Sequence, residues 1–134
     1  MFESFERSQI DSNGCRINVV HSGSGPGLLL LHGYPQTHVM WHKVAPRLAE
    51  HFAVVVTDLR GYGDSGKPPS DGDLSVYCKR TMAQDQVEVM AELGFQSYHV
   101  AGHNRGARVG HRMALDHPRR VKSFTSLDVV PSQA

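Results

Sequence analysis

Two short apolar runs constrain what this chain can fold into more than any other feature. "LLLLHG", Leu28 to Gly33, and "FAVVVTD", Phe52 to Asp58, are continuous rather than alternating in their hydrophobicity. Each is too short for a helix, and the pattern is that of strands buried on both faces. Between them Met40 to His51 is expected to form a short helix, with Pro46 tolerated only in a first turn. Further on, Ala83, Val87, Met90 and Leu93 recur at helical spacing, which predicts a helix over 76–93 stopped by Gly94. "SYHVAGH" reads as a strand, Arg105 to His117 as a helix ended by Pro118, and "VKSFTSLDVV" as a last strand. Strands alternating with helices imply an α/β fold built on a right-handed, mostly parallel sheet. The exception lies at the N-terminus, where Ser8 to His21 reads as an antiparallel hairpin. Its tight turn falls at Asn13-Gly14, a pair suited to positive backbone angles.

A chain of 134 residues has enough apolar content for one core, not two. With 14 basic and 13 acidic residues the formal charge is +1, which removes the electrostatic case for nucleic acid or an anionic membrane. Cys15 and Cys78 lack metal or redox spacing and are expected as free thiols in a cytoplasmic protein. The first fourteen residues have no apolar core, so no signal peptide is expected, and no later run is long enough to span a bilayer. Neither His38/His42 nor His99/His103 comes with a third ligand, and no metal or other cofactor is expected.

Gly102-His103-Asn104-Arg105-Gly106 sits where a strand ends and a helix begins. That is the context of a Gly-x-nucleophile-x-Gly elbow, in which the central residue is strained and exposed over the sheet edge. Taken alone, the pentapeptide is equally a tightly packed glycine-rich turn. Three features bear on the choice. "HGYP", His32 to Pro35, follows a buried strand, and the backbone N–H groups of Tyr34 and Arg105 would form an oxyanion hole. Asp58 opens the loop "DLRGYGDS" at the carboxyl end of a strand, the side on which open α/β sheets bind ligands. Asp128 ends the last strand, where it could orient a histidine as the acid of a triad. Each also has a plainer account: a turn glycine, a capping aspartate, a solvated carboxylate.

The segments "LLLLHGYPQTHVMWHKVAPRLAEHFAVVVTDLRGYGDSGKP" and "YHVAGHNRGARVGHRMALDHP" resemble the N-terminal half of an α/β-hydrolase, nearest the haloacetate (fluoroacetate) dehalogenases, with epoxide hydrolases and haloalkane dehalogenases as cousins. The resemblance implies that Arg105 and Arg108 clamp a substrate carboxylate. Three residues apart at the start of one helix, they can share a face beside the helix's positive end. A haloacetate is then the expected small-molecule partner. An epoxide hydrolase is less well matched, because an epoxide has no use for such a clamp and Arg105 stands in place of an aromatic residue.

In the resembled enzymes the elbow centre is an aspartate that displaces halide and forms an ester, which water then cleaves. Here it is Asn104, a near isostere that tolerates positive φ but has no anionic oxygen. Substrate binding is expected to survive the exchange and turnover to suffer. A non-catalytic carboxylate-binding homologue is therefore the alternative from outside the enzymes. The resemblance also places the general-base histidine and the cap beyond Ala134. Residues 1–134 are accordingly expected to be the N-terminal part of one core domain, inactive by itself, with a homodimer conceivable for the full-length protein.

Overall fold

The computed structural model describes residues 1–128. Six strands form one sheet in the order β1-β2-β4-β3-β5-β6: β1 Glu6–Ser12, β2 Cys15–Ser22, β3 Gly27–Leu31, β4 Ala53–Thr57, β5 Tyr98–His103 and β6 Val121–Leu127. The first two strands make the expected antiparallel hairpin, with Ser12 opposite Cys15 and only Asn13 and Gly14 between them, both at positive φ. β2 joins β4 antiparallel, and the pairs β3·β4, β3·β5 and β5·β6 are parallel. Residues 129 and 130, which the sequence pattern added to the last strand, lie outside the described residues.

The strand order explains where a site can form. From β3 the chain crosses to β4 on one side, and later to β5 on the other, so a crevice opens at the carboxyl ends of β3 and β5. β3 and β4 are buried at every residue, as two-sided coverage requires. On one face Leu29, Leu31, Val55 and Val100 pack beneath α2 (Lys79–Glu92) and α3 (Arg105–Asp116). On the other, Leu28, Leu30, Val54 and Val56 pack against Phe2, Phe5 and Trp41.

Two expected helices need correction. Met40 to His51 is not one helix but a 3-10 turn at His38–Trp41 followed by α1, Ala45–Leu48, with Pro46 in its first turn. Proline lacks the N–H that a continuous helix would need seven residues in, so the helix starts afresh around it. The helix expected from residue 76 begins at Lys79, because a separate 3-10 turn occupies Leu74–Tyr77. α2 also buries more than the stripe read from sequence, since Met82, Asp85, Gln86 and Val89 are enclosed too.

The buried Asp85 has a partner. Its carboxylate receives two hydrogen bonds of 2.7 Å from the Arg60 guanidinium, whose remaining N–H groups donate to the carbonyls of Val76 and Asn13. One arginine thus ties the loop after β4 to α2, to the segment before it and to the hairpin turn. Removing one charge of such a pair leaves the other buried and uncompensated. Asp85→Asn is expected to destabilise the fold by about 3 kcal/mol, read as a lower midpoint in urea denaturation monitored by circular dichroism.

Candidate active site

The elbow forms because three glycines let backbone approach backbone. Asn104 adopts φ 55° and ψ −119°, off the allowed regions for most residues, between the end of β5 and the first residue of α3. A side chain on Gly106 would strike the carbonyls of Leu31 and His32, and one on Gly102 would strike the Gly106 carbonyl. On the facing loop, a Cβ at Gly33 would come within 2.5 Å of the Asn104 Cβ. The Asn104 N–H donates to the Leu127 carbonyl at 3.2 Å, and its own carbonyl accepts from Ala107 at 3.0 Å, so the turn is held from both sides.

The structure brings together most residues that the sequence singled out. The Tyr34 N–H donates to Asn104 Oδ1 at 3.3 Å, which places that backbone group over the elbow side chain. Arg105 and Arg108 are both exposed at the start of α3. The Arg105 guanidinium is fixed by two aromatic residues: it donates to the Tyr62 hydroxyl at 2.9 Å and lies 4.6 Å from the centroid of the Tyr34 ring. Asp128, at φ 61° and exposed, stands 3.5 Å from His103 Nε2. His103 is the last residue of β5 and is half-buried. It lies on the sheet face covered by the loop after β3, and its Nδ1 meets Gln36 Oε1 at 3.2 Å.

Asp58 takes a different place from the one its strand-end position implied. It is wholly buried, not open to a ligand. Its carboxylate accepts from the His38 ring at 2.8 Å, the His38 N–H at 2.7 Å, the Asn18 amide at 3.1 Å and the Asp64 N–H at 3.0 Å. Burial by itself would push this carboxyl up, but those hydrogen bonds outweigh it and hold it at about 2. His32 is a second buried anchor. Its Nε2 accepts from the Leu59 N–H at 2.9 Å, which leaves Nδ1 to donate to the Gly33 carbonyl at 2.9 Å. Burial pushes its pKa below the usual histidine value, so the ring is held neutral. Together they lock the loops after β3 and β4 against each other.

Sequence reasoning passed over Tyr62 and Lys79. With Tyr34, Tyr77 and Arg105 they line a pocket of about 370 Å³ beside the elbow. Tyr62 carried a faint signal as the one aromatic residue in "RGYGDS", whereas Lys79 carried none, because its approach depends on where α2 begins. Among the described residues no three His, Cys, Asp or Glu side chains converge as a metal site, and no helix is long and apolar enough to cross a membrane. Both cysteines are free thiols.

The two anchors give stability a definite pH dependence. His32 has a depressed pKa in the fold, so its contribution is full above its ordinary value of 6.5 and declines as pH falls below it. Asp58 is also depressed, so its contribution is intact above 3.8 and is lost as pH falls toward about 2. The shift at Asp58 corresponds to about 2 kcal/mol. Thermal melts are expected to fall in two stages on acidification, and Asp58→Asn is expected to abolish the lower one.

A family model for the alpha/beta hydrolase fold matches residues 26–134. The chain is 54% identical over 132 residues to a fluoroacetate dehalogenase from Burkholderia sp, an alignment that covers 98% of this chain and 43% of that protein. It is 44% identical over 119 residues to a soluble epoxide hydrolase from Corynebacterium sp. (strain C12), covering 89% of this chain and 40% of the other. Among solved structures, a protein from Nostoc sp PCC 7120, provisionally classed as an alpha/beta hydrolase, superposes with a TM-score of 0.95 at 61% identity, over 98% of this chain and 45% of that one. The chain spans less than half the length of each of these relatives.

Proposed function

We propose that this chain, which belongs to the α/β-hydrolase fold family, supplies the nucleophile elbow, carboxylate clamp and triad acid of a hydrolase acting on small haloacids. Its relatives include both a dehalogenase and epoxide hydrolases. One observation favours the haloacid over the epoxide: a cation next to the elbow centre, fixed by the Tyr62 hydroxyl and the Tyr34 ring. An epoxide has no negative charge for that cation to meet, whereas a haloacetate presents its carboxylate to Arg105 and Arg108 and its halogen-bearing carbon to position 104.

With a carboxylate at position 104, one oxygen attacks the carbon, the carbon–halogen bond breaks with its electron pair leaving on the halide, and an ester remains. Water activated by a histidine then attacks the ester carbonyl. The Tyr34 and Arg105 N–H groups stabilise the oxyanion, and the carboxylate is regenerated with release of the hydroxy acid. Asp128 orients that histidine, which in this proposal comes, like the cap, from sequence outside residues 1–134. No metal or cofactor takes part.

Asn104 interrupts the cycle at its first step. Its neutral carboxamide lacks the electron density of a carboxylate oxygen, and its Oδ1 already accepts from the Tyr34 N–H. That single residue supports a second reading, a homologue that retains carboxylates without converting them. In the full-length protein, Asn104→Asp is expected to raise fluoride release from fluoroacetate by about four orders of magnitude or more, followed with a fluoride electrode. Tight fluoroacetate binding without release in the aspartate variant would instead establish the binding protein.

A further inference from the structure

We propose that Lys79 is a third cationic contact for the anionic ligand, reaching from the first residue of α2 into the pocket that Arg105 enters from the first residue of α3. The inference rests on the carboxylate-clamp reading above and deepens it.

The case starts from charges placed where the fold disfavours them. The N-terminus of a helix carries positive partial charge and favours acidic side chains in its first turn. α2 and α3 have no acidic residue in their first turns, neither is closed by its N-cap side chain, and their first helical residues are Lys79 and Arg105. Both cations line the same pocket, with Tyr34, Tyr62 and Tyr77 as its walls and no carboxylate in its lining among the described residues. Lys79 is half-buried, and burial first, then the charges of Arg105 and Arg108, push its pKa below the usual lysine value. Helix ends, desolvation and like charge all oppose this arrangement in the empty protein. A bound anion would relieve all three at once, since it meets two helix N-termini and accepts hydrogen bonds from the ammonium and the guanidinium.

The ligand class follows from the lining: a small organic acid, its carboxylate between Lys79 and Arg105 and its carbon chain against tyrosine rings.

The test is calorimetric titration of the native Asn104 protein with fluoroacetate and with neutral fluoroacetamide, repeated for Lys79→Gln, Lys79→Arg and Arg108→Gln. Lys79→Gln is expected to weaken fluoroacetate binding about tenfold or more while raising the melting temperature, because a disfavoured charge is removed. Lys79→Arg should stay within about threefold of native affinity, charge being what the site requires, and fluoroacetamide should not respond to either change. Unaltered fluoroacetate affinity in Lys79→Gln overturns the inference. If Arg108→Gln loses binding in that case, the clamp stands without Lys79. If neither variant responds, or the native protein does not bind fluoroacetate, the clamp falls as well.

Discussion

Everything at the candidate site depends on one close approach: the start of α3 pressed onto the carbonyl groups that end β3. Only at a glycine can helix and strand backbones come so near, and Gly106 supplies it. That contact sets the distance between the loop carrying Tyr34 and the turn carrying Asn104, and it drives Asn104 into its strained conformation. The strain is held by hydrogen bonds from both directions, one to the end of β6 and the others into the first turn of α3. The side chain at position 104 is thereby aimed by the backbone, with Asn104 Oδ1 accepting from the Tyr34 N–H.

Around that contact the polar groups divide by task. The buried Asp58, Asp85 and His32 are paired within the protein: Asp58 with His38, Asp85 with Arg60, His32 with two backbone groups. Their desolvation is offset by hydrogen bonds, and their place is structural. The exposed or half-buried charges, Arg105, Arg108 and Lys79, carry the same sign and gather at the beginnings of two helices. This separation of paired acids inside from cations at the pocket mouth is what the proposed anionic ligand would meet.

Much of the scaffold was legible from local pattern. The continuous runs at Leu28 and Val54 are strands, Asn13-Gly14 is the hairpin turn, and Gly102 and Gly106 bracket the elbow, because in each case the physical demand falls on residues adjacent in sequence. Arg105 was singled out by the family resemblance, and its contacts with Tyr62 and Tyr34 were not visible in the local pattern. The role of Asp58 was not: its strand-end position suggested a ligand site, and only tertiary packing reveals four donors enclosing it. Tyr62, 43 residues from Arg105 in sequence, and Arg60, 25 from Asp85, were hidden likewise, since long-range pairs leave no periodic trace. The split of the segment after residue 37 was foreshadowed by Pro46, whose position argued against one helix from Met40.

The Arg60 guanidinium also touches the carbonyl of Asn13, at the tip of a hairpin on the far edge of the sheet. The loop that carries Tyr62 is thus stapled to the edge hairpin of the sheet as well as to α2. Surface loops usually exchange their amide hydrogens quickly, by small local openings. Here the loop cannot swing outward unless the guanidinium leaves Asp85, the Val76 carbonyl and the hairpin tip together. Its amides are therefore expected to exchange on the timescale of the core strands, giving the wall of the pocket the rigidity of the sheet.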